Sequence, residues 1–248
     1  MPACRRWPGR GKAAEAMDLS TQWSTVQGPD GAFDAFLALP RSGHGPTLLL
    51  LQEIFGVNAH IRAVAEQYAA DGYVVLAPDL FWRQGKRLEF GYDEADWGRA
   101  AQCMQRAEVA QAQADIGAAA AALRATPGAE GRLAALGYCW GGRMAYLALA
   151  NGHAEHAVAY YGGGIQDCLA RADDIRAPLL LHFGGRDTHI PRAAVRQVAE
   201  RFGAHEQVDI HLYPDAEHGF NCNHRSSYHQ RSAAEAHGHT LLFLSENQ

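Results

Sequence analysis

Residues 136–145 read LGYCWGGRMA and contain the pattern Gly-x-Cys-x-Gly-Gly between a predicted strand and a predicted helix. The apolar residues Leu133–Leu136 precede the pattern, and the small residues of Met144–Ala150 follow it. A cysteine between two such elements lies in a tight turn, where glycines at positions 137 and 141 avoid collisions with the neighbouring strand and helix. The helix points its N-terminus at Cys139, and the helix dipole favours negative charge there. The stretch therefore predicts a nucleophilic thiol.

This strand–turn–helix unit is similar to the nucleophile elbow of the α/β-hydrolases, with cysteine where serine is usual. Around it, short apolar runs typical of buried strands alternate with helical stretches. The predicted strands are Trp23–Gln27, Phe33–Leu39, Thr47–Gln52, Tyr73–Ala77, Leu133–Tyr138, Ala157–Tyr161, Pro178–Phe183 and Val208–Tyr213. The predicted helices are His60–Ala70, Ala107–Ala125, Gly142–Ala150, Ala193–Phe202 and Ser232–Leu244.

This alternation predicts a mostly parallel central sheet with helices on both faces, and the similarity of the elbow implies the α/β-hydrolase fold. Gly28–Gly31 reads GPDG, a turn signal that predicts an antiparallel N-terminal hairpin at one edge of the sheet. Because no linker or repeat follows Met17, residues 18–248 are expected to form a single domain. Residues 1–17 are rich in Arg, Gly and Pro and are expected to be a disordered extension, unless Met17 is the true initiator.

Composition excludes several classes of partner. The 248 residues carry a formal net charge of -5 spread along the chain, which argues against nucleic acid or an anionic membrane as a partner. No apolar run is long enough to span a membrane, and the N-terminus lacks the apolar core of a secretory signal. Five cysteines at irregular spacings favour reduced thiols in the cytoplasm, and Cys4, Cys103 and Cys168 receive no role.

Residues that carry chemistry follow the predicted strands, at the edge where parallel sheets place their active sites. They are Glu53, Asp79 with Arg83, Cys139, Asp187 and His218. A cysteine nucleophile needs a base, and the base needs a third group that orients it. Singly, Asp187 also suits a helix cap and His218 a surface loop. Together, in the order nucleophile, acid and histidine, they favour a catalytic triad.

Several segments resemble the dienelactone hydrolase (carboxymethylenebutenolidase) family. They are QEIFGVN at 52–58, APDLF at 77–81, GYCWGG at 137–142, YYG at 160–162 and HGF at 218–220. The resemblance covers roughly Ser24–Leu244. It implies the α/β-hydrolase fold, a small-molecule lactone or ester substrate, a monomeric enzyme and no cofactor.

By this resemblance, Cys139 is the nucleophile, His218 the base and Asp187 the acid that orients it. The implied oxyanion hole consists of the backbone N–H groups of Trp140 and Ile54, directed at the position where negative charge develops.

The resemblance also implies roles for one further carboxylate and for two arginines. Glu53 is the additional carboxylate near the thiol and helps to deprotonate it, although an arginine such as Arg83 or Arg143 could hold it away. Arg83 binds a substrate carboxylate, for which the guanidinium fork is suited. The family's second arginine is expected four residues after the histidine, where this chain has Cys222, and the nearest candidate is Arg225. This departure leaves open a substrate without a carboxylate.

Three alternatives remain beside the lactone hydrolase. A carboxylesterase could act on non-acidic esters, and a relative without catalytic activity could only bind a ligand. The cluster of His218, Cys222, His224 and His229 could hold a metal, but its spacing is irregular for a closed zinc site, so no metal is expected.

The aromatic stretch Phe81–Trp97 suits either a cap over the pocket or ordinary packing.

Overall fold

The structure, a computed structural model, describes residues 19–248. Its strands, numbered along the chain, are β1 (Ser20–Gly28), β2 (Gly31–Leu39), β3 (Gly45–Leu51), β4 (Val74–Pro78), β5 (Ala129–Tyr138), β6 (His156–Tyr160), β7 (Leu179–Gly184) and β8 (Val208–Tyr213). Its α-helices are α1 (Ala59–Ala70), α2 (Glu94–Arg106), α3 (Val109–Arg124), α4 (Trp140–Ala150), α5 (Arg192–Phe202) and α6 (Gln230–Glu246). A 3-10 helix, Ile165–Asp174, lies between β6 and β7.

The eight strands form one sheet in the order β1-β2-β4-β3-β5-β6-β7-β8. The hairpin β1–β2 is antiparallel and lies at one edge, and β2 pairs antiparallel with β4. All other neighbours are parallel. Both the mostly parallel sheet and the antiparallel N-terminal hairpin predicted from the sequence are thus confirmed.

The central strands are buried on both faces, because helices cover each side of the sheet. Leu48–Leu51 of β3 and Leu179–Leu181 of β7 are almost wholly inaccessible to solvent. Since β3, β5, β7 and β8 run parallel, their carboxyl ends meet at one edge of the sheet. This edge holds the residues that follow them in the chain.

Two helical segments escaped the sequence-based prediction. Helix α2 buries only Ala100 and Cys103, and the predicted helix from Ala107 begins at Val109 instead. The Asp93 side chain caps α2 by accepting a hydrogen bond from the Asp96 N–H at 2.9 Å. The 3-10 helix likewise buries only two residues. Such half-exposed segments bury few apolar residues, so they lack the apolar runs on which the sequence-based assignment relied.

The predicted extension, residues 1–17, lies outside the described residues, as does Cys4. Among residues 19–248, no helix has the length and apolar character needed to cross a lipid bilayer.

Candidate active site

The turn between β5 and α4 holds Cys139 in a strained backbone conformation. Its φ is 53° and its ψ is -118°, a region that residues with side chains seldom adopt. A Cβ on Gly137 would lie 2.0 Å from the Gly141 carbonyl oxygen, and one on Gly141 would lie 2.3 Å from the Leu51 carbonyl oxygen. The steric reason predicted for these two glycines therefore holds, and the turn packs directly on the end of β3.

Backbone hydrogen bonds on both sides maintain this turn. The Cys139 N–H donates to the Tyr160 carbonyl at 3.0 Å, which ties the turn to β6. The Cys139 carbonyl accepts from the N–H groups of Gly142 at 3.0 Å and Arg143 at 3.3 Å, and this begins helix α4. The thiol consequently stands at the helix N-terminus, partly exposed, where the dipole favours an anion.

His218 and Asp187 form a buried pair beside the thiol. The His218 Nδ1 lies 2.8 Å from the Asp187 Oδ2. The other carboxylate oxygen, Oδ1, accepts from the N–H groups of His189 at 2.7 Å and Ile190 at 2.9 Å. Because Asp187 is held by these two amides, it keeps the His218 ring in one orientation and favours the proton on Nδ1, leaving Nε2 as the basic nitrogen.

The pKa of His218 reflects its contact with Cys139. Burial alone lowers this pKa, but the charge of Cys139 and the hydrogen bonds to Asp187 and Cys139 raise it, and the net pKa is about 10. The thiol is thus close enough to His218 to interact with it strongly. An imidazolium beside a thiolate is the arrangement that activates a cysteine nucleophile.

Glu53 lies at the end of β3 with its side chain fully buried. Its Oε1 is 3.5 Å from the Nη1 of Arg225, while neither carboxylate oxygen has a hydrogen-bond partner within residues 19–248. Burial raises the pKa of Glu53, against opposing effects of Arg225 and His218. An arginine does hold this carboxylate, but it is Arg225 rather than Arg83 or Arg143.

The substitution Glu53→Gln is expected to make stability less dependent on pH. Because the pKa of Glu53 is raised above its ordinary 4.5 in the folded state, its contribution to stability is full only below about pH 4.5, where the unfolded chain is also protonated, and is lost as pH rises through the raised pKa. The free energy of unfolding of Glu53→Gln relative to wild type should therefore grow above about pH 4.5, by up to about 1.4 kcal/mol per pH unit. Urea unfolding from pH 4 to pH 8 measures this difference. The exposed Glu206→Gln is the control, and a pH-independent difference for Glu53→Gln would contradict the expectation.

The structure does not bring Arg83 together with the other predicted site residues. Its guanidinium contacts both oxygens of the buried Asp115 in α3, and its Nη2 lies 2.5 Å from the Asp30 Oδ2 of the β1–β2 hairpin. It also stacks on the Trp82 ring, 4.5 Å from the centroid. Arg83 does not line the cavity at Cys139, and its charge is neutralised by Asp115 and Asp30.

The two predicted oxyanion donors face one cavity. Trp140 is the first residue of α4, so its N–H has no partner within the helix. Ile54 follows β3 and also lines the cavity. Because Gly141 packs on the carbonyl of Leu51, the β3 loop lies directly against the turn. The arrangement can present two N–H groups to a substrate carbonyl at Cys139.

This cavity has a volume of about 500 Å³ and contains most of the predicted site residues. Cys139, His218, Arg225, Ile54 and Trp140 all line it. The remaining wall consists of residues that received no site role in the sequence analysis. They include Trp97 and Met104 of α2, Arg143 of α4, Gly163, Gly164, Gln166, Asp167 and His189. The aromatic stretch thus contributes to the cavity through Trp97, whereas Phe81 is buried against Trp140.

Two aromatic side chains pack against His218, of which the sequence assigned no site role to His189 and left Tyr161 open between bordering the site and core packing. The Tyr161 ring centroid lies 5.1 Å from that of His218, and the His189 ring centroid lies 4.9 Å from it. Tyr161 follows β6 with a φ of 37°, and its position at a strand end was the available signal. His189 carries no comparable signal, because it contacts His218 only after the β7 and β8 loops converge.

Potential metal ligands group differently from the cluster considered in the sequence. Ligand atoms of Glu53, His60 and Cys222 lie within 4.8 Å of one another. The guanidinium of Arg225 beside Glu53 opposes a cation at this position. His229 instead caps α6, its Nδ1 lying 2.8 Å from the Ser232 Oγ.

Comparison with known proteins agrees with this architecture. A sequence model of the dienelactone hydrolase family matches residues 33–247. A carboxymethylenebutenolidase from Pseudomonas putida is 33% identical over 233 residues, which cover 93% of this chain and 98% of that protein. Another, from Pseudomonas sp. strain P51, is 35% identical over 215 residues, covering 86% of this chain and 90% of the relative.

Solved structures give the same result. The crystal structure of a candidate dienelactone hydrolase from Klebsiella pneumoniae superposes with a TM-score of 0.82 at 30% identity, over 92% of this chain and 98% of that chain. A dienelactone hydrolase-like phosphotriesterase from metagenomic libraries, at 20% identity and a TM-score of 0.78 over 92% of this chain and 98% of that chain, shares the fold. Sequence and structure together show that this chain belongs to the dienelactone hydrolase family and has the α/β-hydrolase fold.

Proposed function

We propose that this protein is a cysteine-dependent hydrolase of a small lactone or ester, and that it acts through an acyl-enzyme on Cys139. The observation that carries the proposal is the strained turn that holds Cys139 in one cavity with His218, which is itself hydrogen-bonded to Asp187. The relatives named carboxymethylenebutenolidase support the ester or lactone class. The arrangement suits acyl transfer, because nucleophile, base and orienting acid are all present.

In the proposed reaction, the Cys139 thiolate attacks the substrate carbonyl and forms a C–S bond. The N–H groups of Trp140 and Ile54 stabilise the oxyanion that develops. Collapse of this intermediate breaks the C–O bond, and the imidazolium of His218 gives its Nε2 proton to the leaving oxygen, which in a lactone stays attached to the acyl chain. Neutral His218 then takes a proton from water, whose oxygen attacks the thioester and releases the acid and the thiolate.

Glu53 is proposed to assist when the resting thiol is protonated. Burial raises the pKa of the Glu53 carboxyl, so its carboxylate is a stronger base than that of an exposed glutamate. In this structure Arg225 pairs with the Glu53 carboxylate, so a shift of the guanidinium would free Glu53 to accept the proton of the thiol. Arg225 thus acts on the reaction through Glu53.

The proposal also includes the compartment, the oligomeric state, the domain organisation and the cofactor requirement of the enzyme. We propose a cytoplasmic monomer in which residues 18–248 form a single domain and which needs no cofactor. The four cysteines at 103, 139, 168 and 222 are all free thiols, which supports a reducing compartment.

The engagement of Arg83 by Asp115 and Asp30 favours a second candidate, a carboxylesterase of non-acidic esters. The first test is hydrolysis of a dienelactone and of p-nitrophenyl acetate by the wild-type protein. Intact-mass and peptide analysis of a sample quenched within the first turnovers should show one acetyl group on Cys139. Turnover of the acetate alone would favour the carboxylesterase. Neither turnover nor an adduct would contradict both and favour a ligand-binding protein.

A further inference from the structure

Arg143 places a positive charge in the cavity close to the nucleophile. It lies in the first turn of α4, and its N–H donates to the Cys139 carbonyl at 3.3 Å. Its side chain lines the cavity that also contains Cys139 and the two N–H donors proposed for the oxyanion hole. A group bound to this guanidinium is therefore near a carbonyl that the thiol attacks.

The guanidinium of Arg143 has no partner of its own within residues 19–248. It forms no ion pair or side-chain hydrogen bond there, and its Nε is shielded from solvent with no acceptor in reach. The other two arginines considered for substrate binding are engaged, Arg83 with two aspartates and Arg225 with Glu53. The Arg143 side chain is nevertheless partly exposed in the cavity, where its terminal N–H groups can pair with an anion.

The backbone at Gly164 packs closely against one side of the Arg143 guanidinium. Gly164 has a φ of 89°, and a Cβ at this position would lie 2.8 Å from the Arg143 Nη1, so the glycine lets the chain pass close to the guanidinium. Asp167 also lines the cavity but forms no ion pair with Arg143. The Asp167 carboxylate repels anions in the cavity, so an anion binds favourably only where it contacts the Arg143 guanidinium directly.

We propose that Arg143 binds a carboxylate of the substrate, in the place that the family resemblance assigns to Arg83. This inference rests on the proposed hydrolase function and names the residue of this chain that selects substrates carrying a carboxylate. The planar fork of the guanidinium pairs with both oxygens of a carboxylate, so it orients the substrate as well as attracting it. The carboxylate then lies toward α4 and the 3-10 helix, while Arg83 stabilises the fold through Asp115.

Two esters that differ only in charge test the proposal. Mono-p-nitrophenyl glutarate carries a free carboxylate, and its methyl ester does not. Arg143→Gln should lower kcat/KM for the free acid roughly 10- to 100-fold, the factor expected for losing a charge-assisted hydrogen bond, and should change kcat/KM for the methyl ester by less than about threefold. Arg176→Gln removes an exposed positive charge of the same kind and is the matched control.

Three outcomes would overturn the assignment. Equal losses on both esters would indicate that Arg143 has a structural role. A loss of acid preference in Arg83→Gln, with that preference intact in Arg143→Gln, would return the role to Arg83. Arg176→Gln matching Arg143→Gln would reduce the effect to overall charge.

Alkylation of Cys139 tests the same inference without hydrolysis. Iodoacetate is an anion and iodoacetamide is neutral, and each forms a thioether with the thiolate as iodide leaves. The ratio of their rates at Cys139, followed by peptide mass spectrometry, should fall roughly tenfold in Arg143→Gln. An unchanged ratio would overturn the inference even if esters are hydrolysed. If wild type hydrolyses no ester and yet shows this fall, the hydrolase proposal fails while Arg143 remains an anion-binding residue.

Discussion

Replacing Cys139 by alanine is expected to lower kcat/KM for a small aryl ester by a factor on the order of 10⁴ or more. The thiolate forms the only covalent bond to the acyl group in the proposed reaction, so its removal leaves only binding and the oxyanion donors to assist attack by water. The turn itself should persist, because alanine also carries a Cβ and meets the same backbone strain at a φ of 53°. Initial rates with p-nitrophenyl acetate, at equal protein concentration, measure the loss.

The control for Cys139→Ala is Cys168→Ala. Cys168 is also a free and partly exposed thiol, but it lies in the 3-10 helix and does not line the cavity. Its loss should leave the rate unchanged within about threefold, since surface substitutions away from a site have small effects. Unfolding curves for both variants separate loss of chemistry from loss of fold. Turnover that survives in folded Cys139→Ala would reject the thiol mechanism.

Asp187→Asn is expected to lower kcat by about 10²- to 10⁴-fold, through the orientation of the proton on His218. The Asp187 Oδ1 accepts two backbone N–H groups, so the asparagine oxygen should stay on those amides and turn its NH₂ toward His218. Nδ1 must then accept a hydrogen bond, and the proton moves to Nε2. With a proton on Nε2, neutral His218 cannot act as the base toward the thiol or water.

The pH dependence of kcat distinguishes this effect from general damage. The hydrogen bond and the charge of Asp187 contribute to the raised pKa of His218. In Asp187→Asn, the part of the pH–kcat profile that reflects ionisation of His218 should therefore shift to lower pH. Asp215→Asn is the control, because Asp215 is exposed, pairs with Arg186 and precedes His218 by three residues. Equal losses in the two variants, or an Asp187→Asn rate within about threefold of wild type, would refute the assigned role.

Local sequence was sufficient to predict the sheet and the turn. Buried strands such as Leu48–Leu51 must be apolar on both faces, so their runs are visible in the sequence. Gly137 is required by the backbone of Gly141, four residues further on, and Gly141 is required by the end of the adjacent strand β3. Chain order then placed Asp187 and His218 at neighbouring strand ends, and the structure brings them within 2.8 Å of each other.

The sequence by itself therefore determined the α/β architecture and the position of each residue at a strand end, because both follow from local periodicity and from the direction of parallel strands. Only the tertiary structure decided which arginine meets which acid. Arg83 reaches Asp115 on α3, Arg225 reaches Glu53 across the site, and Arg143 is left facing the cavity. A long, flexible side chain can reach several carboxylates, and its choice depends on burial and on residues distant in the chain, such as Asp115, 32 positions from Arg83.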